Sequence, residues 1–283
     1  MREILAGNIS RFRKELELTQ EDLAKKLNIS FQAVSKWETG QTVPDTLMLP
    51  HIAQYLSVSV DRLLGYASFK DDVTFYEEAY QEDGYYWGVS PSRACFKVLE
   101  FMPPTQPLKL LDIGCGEGKD SVFFARCGYD VTAFDISEAG LEKTKRLADK
   151  ARVHVNTFRA NILDYRLSEN FDILYSSGVL HYIKPELCSE IMANYKSHVN
   201  ENGLIAMNVF VKKPFIGSPP ENEAHHSYLW ESGQLLVNFS DWHTENFQEY
   251  LFDCNSSGIP HKHAMNVLFS RNVANKYYMG HNA

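Results

Sequence analysis

The stretch Leu108-Lys109-Leu110-Leu111-Asp112-Ile113-Gly114-Cys115-Gly116-Glu117-Gly118 decides the fold of most of the chain. An apolar run closes on three evenly spaced glycines and is followed by a helical pattern from Ser121 to Arg126, which predicts a strand, a tight turn and a helix. Glycine admits positive φ in such a turn and lets a ligand approach the backbone, while the helix N-terminus offers unpaired N–H groups. Tyr129 to Phe134 reads as a second strand ending in Asp135, about 20 residues after the turn, where a carboxylate accepts both hydroxyl hydrogens of an adenosine ribose. A dinucleotide fingerprint spaces its last glycine as G-x-G-x-x-G. The even spacing of Gly114, Gly116 and Gly118 after Asp112 argues against a pyrophosphate.

Towards the C-terminus, apolar strands alternate with helical patterns, predicting an α/β domain with a mainly parallel twisted sheet and helices on both faces. Ala160-Asn161-Ile162-Leu163 follows a third strand, and Phe171 to Ser176 reads as the fourth, running on into Ser177-Gly178-Val179-Leu180-His181. Leu111 to Gly118, with Asp135 at the next strand end, resembles motif I and its successor in Rossmann-like class I S-adenosylmethionine-dependent methyltransferases. The resemblance implies S-adenosylmethionine as cofactor. Gly114, Gly116 and Gly118 would pack against its methionine part, Asp135 with Ile136 would hold the ribose, Asn161 and Ile162 the adenine, and Ser176 would border the site. The family often has aspartate where this chain has Asn161, whose side-chain oxygen still accepts from the adenine amino group. Asp112 reads equally as a ligand contact or as a turn-stabilising residue.

Towards the N-terminus, Ile4, Leu5, Ile9, Phe12 and Leu16 mark one face of a first helix. Thr19 caps a second, with the acidic first turn Glu21-Asp22 and a buried face of Leu23, Ala24 and Leu27. Ser30 caps a third, with Val34 and Trp37 inward and Gln32, Ser35 and Lys36 outward, before Gly40 stops it. Pro44-Asp45 opens a fourth with Leu47, Leu49, Ile52, Ala53 and Leu56, and Val60 to Leu64 is a short fifth. This all-α five-helix pattern resembles the repressor/Cro-like (xenobiotic response element) helix-turn-helix family over nearly all of residues 4–65. The resemblance implies double-stranded DNA as partner, with Gln20, Gln32, Ser35 and Lys36 facing it and Arg13 and Lys14 near phosphates. It also makes a homodimer reading two half-sites the expected arrangement. A helical dimerisation module without operator binding is the alternative.

The domains expected are therefore 1–66, DNA-binding; 67–90, a linker and aromatic lid without clear period; and 91–283, the methyltransferase. Residues 1–66 carry eight Lys/Arg and eight Asp/Glu, so the remaining chain holds the whole acidic excess of the −8 net charge. That disfavours DNA or RNA as the methylated substrate. Five scattered cysteines without a CxxC pair argue against a disulfide framework and a structural zinc site and predict a reducing, cytoplasmic setting. No stretch approaches a membrane span, and the first residues carry no export signal.

Tyr85-Tyr86-Trp87-Gly88 upstream, Glu231-Ser232-Gly233-Gln234-Leu235, Phe239, Asp241-Trp242 and His261-Lys262-His263 together resemble the tellurite-resistance methyltransferase family over roughly residues 85–272. That implies a small methyl acceptor, an oxyanion such as tellurite or selenite or a thiol. Tyr86 and Trp87 would embrace the sulfonium by cation–π attraction, or else pack as core at the domain junction. His181, His261 and His263 are the candidate catalytic residues, each able to bind an oxyanion or move a proton near neutral pH. His225 and His226 read as loop. His261 and His263 share a strand face, but the chain offers no third ligand at fixed spacing and no metal site is expected. A regulator whose methyltransferase-like domain only senses S-adenosylmethionine is the alternative, to be separated from an enzyme by whether an acceptor pocket lies open near Tyr86, His181 and His261.

Overall fold

The computed structural model describes residues 2–16, 18–56, 58, 60–65, 75–217, 227–255 and 259–274, and the chain divides into two units, Met1–Asp72 and Val73–Ala283. His225, His226 and the stretch 67–74 of the expected linker lie outside the described residues.

The first unit contains α1 (Arg2–Glu15), α2 (Gln20–Leu27), α3 (Phe31–Glu38), a 3-10 turn at Thr46–Met48, α4 (Leu49–Tyr55) and α5 (Val60–Leu63). Thr19 and Asp22 form a reciprocal capping box at the start of α2, which ends on Asn28 in the left-handed conformation (φ 54°). Ser30 accepts from the Ala33 N–H three residues later, and α2 and α3 are joined by the three-residue turn Asn28-Ile29-Ser30. Ile9, Phe12, Leu23, Val34, Ile52 and Leu63 are fully buried at its centre. The fourth helix begins later than the sequence suggests: Asp45 accepts from the Leu47 N–H and closes a 3-10 turn, leaving Leu47 exposed.

In the second unit α6 (Phe75–Gln81) and α7 (Arg93–Phe101) precede β1 (Lys109–Ile113), α8 (Lys119–Cys127), β2 (Asp130–Asp135), α9 (Glu138–Ala151), β3 (Asn156–Arg159) and β4 (Phe171–Ser176). A 3-10 turn (Leu180–Tyr182), α10 (Pro185–Ser197), β5 (Val199–Val211), α11 (Gln234–Asn238), β6 (Trp242–Cys254) and β7 (His261–Ala274) complete it. Among the described residues the strands form one sheet in the order β3-β2-β1-β4-β5-β7-β6, parallel from β3 to β5, with β7 antiparallel to both neighbours. Alternation along β1 sends Leu111 and Ile113 into a core shared with α10 and α11, and Leu110 into one shared with α7 and α8. The chain runs outward from β1 through β2 to β3, then returns to β4 on the other side of β1. The strand order thus reverses between β1 and β4, and the crevice beyond their carboxyl ends is where ligands bind in open α/β sheets. No helix among the described residues is long and apolar enough to cross a membrane.

Candidate functional site

The glycine turn is tied to the end of β2 by its own backbone. The N–H groups of Gly114 and Cys115 both donate to the Phe134 carbonyl, at 2.9 and 3.0 Å, and the Gly116 N–H donates to Asp135 Oδ2 at 2.8 Å. Asp135 Oδ1 accepts from the Ser137 N–H at 2.9 Å. Gly114, Gly116 and Gly118 all have positive φ. At Gly118 a Cβ would fall 2.5 Å from the Thr144 side chain, so no other residue fits without moving α9. At Gly116 it would meet the Tyr80 hydroxyl at 3.0 Å. Burial raises the pKa of Asp135, opposed by hydrogen bonds from the backbone of Ser137, Gly116 and Ile136.

Asp112 lies beneath the turn, 2 % exposed, accepting from the Ser121 hydroxyl at 2.5 Å. Nearby Asp120 accepts from the Tyr175 hydroxyl and the Ser92 N–H, each at 2.7 Å. The Ser121 bond is the contact that the turn-stabilising reading calls for. Burial, then the charge of Asp120, push the Asp112 pKa up to about 7. The native state then holds a proton that the unfolded chain releases near pH 3.9, so this group's stabilisation is complete below about pH 4 and is lost as pH rises to 7. Asp112→Asn is therefore expected to match wild-type stability at pH 5 within about 1.5 kcal/mol and to exceed it by a few kcal/mol, of order 3 to 4, at pH 8. Thermal or urea melts at the two pH values check this, and a pH-independent difference would refute the assignment.

The other expected cofactor residues gather around the same crevice. The Ala160 N–H donates to the Asp135 carbonyl at 3.1 Å, and Arg159 Nε donates to the Ile136 carbonyl at 2.7 Å, so the segment after β3 is laced to the end of β2. Asn161 and Ile162 are buried there, and the Asn161 side-chain oxygen accepts from the Leu163 N–H at 2.9 Å, so the oxygen assigned to adenine also closes a local turn. Ser176 is buried at the end of β4, its hydroxyl 3.3 Å from the Ile113 carbonyl.

Tyr86 and Trp87 belong to a group of four aromatics with Tyr76 and Tyr80. Ring centroids are 4.9 Å apart for Tyr86–Trp87, 5.8 Å for Tyr76–Trp87 and 5.6 Å for Tyr76–Tyr80. Trp87 Nε1 donates to the Tyr80 hydroxyl at 2.9 Å, and the Trp87 N–H donates to Glu117 Oε2 at 3.1 Å, fastening this segment to the glycine turn. Glu117 is in turn paired with Lys143 at 2.9 Å, both buried. Tyr76, Tyr80, Glu117 and Lys143 were not among the residues singled out from sequence. Tyr76 and Tyr80 stand four apart on α6, a seven-residue helix too short to show a period.

His181 and His263 come together across Phe210, whose ring centroid is 4.7 Å from His181 and 4.5 Å from His263. With Tyr76, Tyr182, Ser227 and Leu229 they line a small recess of about 20 Å³, room for about one water. His261 stands beside His263, with their Nε2 atoms 2.8 Å apart, and does not line the recess.

In the first unit Gln32 and Lys36 are exposed and Ser35 half-buried, on the face of α3 opposite Val34 and Trp37. Gln20 is half-buried and donates to Glu38 Oε2 at 2.7 Å. Arg13, expected near phosphates, is instead a structural residue: it is 8 % exposed, forks onto both Glu38 oxygens at 2.6 and 2.9 Å and donates to the Leu18 carbonyl. The helical period puts Arg13 one residue after Phe12, at the edge of the buried stripe, where a guanidinium finds a carboxylate rather than solvent. Lys14 is exposed.

The fold has counterparts among known proteins. A probable S-adenosyl-L-methionine-dependent methyltransferase TehB from Haemophilus influenzae is 30% identical over 145 residues, 48% of this chain and 51% of the relative. The crystal structure of TehB from Haemophilus influenzae superposes with a TM-score of 0.58 at 20% identity, covering 70% of this chain and 66% of that one. N-methyltransferase NodS from Bradyrhizobium japonicum, solved with S-adenosyl-l-homocysteine, superposes at 0.50 with 12% identity, covering 74% and 98%. At these identities the two structures speak to the fold, which is that of class I methyltransferases. The chain spans about half the length of the curated relatives it matches. Residues 9–63 match the helix-turn-helix family, and residues 77–257, more than half of the chain, match the family described as tellurite resistance protein TehB. The chain therefore belongs to the TehB family and carries a helix-turn-helix domain ahead of its class I methyltransferase fold.

Proposed function

We propose that the chain is an S-adenosylmethionine-dependent methyltransferase acting on a small acceptor, fused to a module that binds double-stranded DNA. The observation that carries this is the Asp135 carboxylate, held by Gly116 and Ser137 at the mouth of the crevice where the strand order reverses. The residues fit the cofactor: a carboxylate suited to a ribose diol, a glycine turn with positive φ at Gly114, Gly116 and Gly118 and no room for a Cβ at Gly118, and a buried polar Asn161. S-adenosylmethionine, when bound, supplies an electrophilic methyl group on a good leaving group. The chain's own work is then positioning. Asp135 accepts the ribose hydroxyl hydrogens, and Ile136, Asn161 and Ile162 bound the adenine. Tyr86 and Trp87, with Tyr76 and Tyr80, exclude water and offer π faces to a cation. His181 and His263 face the recess, where an imidazole can hold an oxyanion or take the proton of a thiol. Tellurite, selenite and small thiols are the acceptor class. Calorimetric titration of S-adenosylmethionine into the full chain tests the reading, with one site per chain expected and no heat of binding contradicting it.

On the DNA-binding unit, Gln32, Ser35 and Lys36 form the reading face of α3, and Gln20 sits at its flank through Glu38. Two such units in a dimer read two half-sites. Gln32→Ala is expected to weaken operator binding about 10- to 100-fold with relaxed sequence preference, because a bidentate base contact discriminates by about 1 to 3 kcal/mol. Band-shift titrations on the cognate operator check this. Equal affinity for wild type and variant would remove Gln32 from the interface.

A further inference from the structure

Cys254 and His261 are directly opposed in the β6–β7 ladder, and His263 follows two residues along β7 on the same face. The Cys254 Sγ and a ring nitrogen from each histidine lie within 4.8 Å of one another, the one three-donor group of this kind among the described residues. The third donor, which spacing along the chain did not offer, is supplied across the strand pair. Asp253 and Lys262 pair with each other on the opposite face of the ladder and do not compete.

The histidines are oriented as ligands. His261 Nδ1 lies 2.7 Å from the Ile259 carbonyl oxygen, which can only accept, so Nδ1 carries the hydrogen and the neutral ring presents Nε2 as its lone-pair nitrogen. A backbone carbonyl fixing the tautomer in this way is the outer support that metal-bound histidines use. That Nε2 points at His263 Nε2, 2.8 Å away, and the His263 ring is held by stacking on Phe210 at 4.5 Å and 13°. A thiolate with two imidazoles is a soft-to-borderline set that suits zinc and disfavours magnesium or calcium.

We propose that Cys254, His261 and His263 form a site for one divalent ion of the zinc class, with a fourth position open to water or an anionic donor. Tetrahedral Zn–N bonds of about 2.0 to 2.1 Å put two nitrogens roughly 3.3 Å apart, so the imidazoles need part by only about half an ångström. Loading sends the thiol proton to solvent, and the proton between the two Nε2 atoms moves to His263 Nδ1, so affinity rises with pH. The site goes beyond methyl transfer: it shares His263 with the recess, and its metal readouts do not require turnover.

The test uses the full chain stripped with chelator, titrated with Zn²⁺ against a chromogenic competitor and separately with Co²⁺. One ion per chain is expected with a Kd at or below about 1 µM, together with a cobalt spectrum showing thiolate-to-metal charge transfer. Cys254→Ser should lose the charge-transfer band with an unchanged melting temperature of the metal-free protein. His261→Ala should weaken Zn²⁺ binding by at least about 100-fold, since even outer-shell changes cost 10- to 100-fold. Cys127→Ser, outside the cluster, should change neither. Absence of a charge-transfer band in the wild type, or a band that survives Cys254→Ser, would overturn the assignment and leave a hydrogen-bonded histidine pair.

Discussion

Replacing Asp135 with alanine is expected to weaken S-adenosylmethionine binding by about 100- to 10,000-fold. Two hydrogen bonds from ribose hydroxyls to a carboxylate are lost, each worth about 1.5 to 3 kcal/mol. The substitution also releases the Gly116 and Ser137 N–H groups, so part of the loss comes from a turn no longer drawn against β2. Asp135→Asn separates the two effects. Its amide oxygen can still accept from the Gly116 N–H while the charge is gone, and an intermediate loss of about 10-fold is expected. Calorimetry on the three proteins, with melts to show that all are folded, reads the result directly. Equal affinity in wild type and Asp135→Ala would remove this carboxylate from the cofactor site.

The second large effect is expected in the DNA-binding unit. Arg13→Ala strands Glu38, whose side chain is 5 % exposed, without its bidentate partner. Removing one member of a buried pair costs about 3 to 5 kcal/mol. A unit of some 65 residues has a net stability near the lower end of the usual 5 to 15 kcal/mol, so this is most of what holds it folded. The helical signal of the first unit and its affinity for DNA should fall together, while S-adenosylmethionine binding persists. Burial alone would raise the Glu38 pKa, but the bonds from Arg13 and Gln20 and the charge of Arg13 outweigh it and hold the value below the ordinary range. A carboxylate lowered in this way stabilises above its unfolded pKa, so the contribution disappears as pH falls through the acid range below about 4.3. The Arg13→Ala penalty should accordingly shrink in acid. A penalty below about 1 kcal/mol at pH 7 in urea melts would show that the pair is not load-sharing in solution.

The parts of this molecule legible in the sequence are those where one local pattern has one structural solution. An apolar run into Gly114, Gly116 and Gly118 can only be a strand meeting a helix at a tight turn, and Asp135 follows at the distance one parallel crossover requires. Thr19 with Asp22, and Ser30 at the head of α3, announce their helices by side-chain chemistry within four residues. What escaped is what the tertiary fold assembles. The Glu117–Lys143 pair joins residues 26 apart, and Tyr80 reaches Gly116 from a helix seven residues long. Arg13, expected near phosphates, finds its partner Glu38 25 positions away. Cys254 carries no local signal, because its neighbours lie across a strand pair. Asp112 meets Ser121 nine positions on, a partner the glycine turn does not announce.

The most direct test of the central claim is the release of S-adenosylhomocysteine by the purified full chain given S-adenosylmethionine with tellurite, selenite or a small thiol. Product well beyond one equivalent per chain is expected with at least one of these acceptors, together with its loss in Asp135→Ala. Tight binding of S-adenosylmethionine with no product from any of them would contradict an enzyme and leave a sensor.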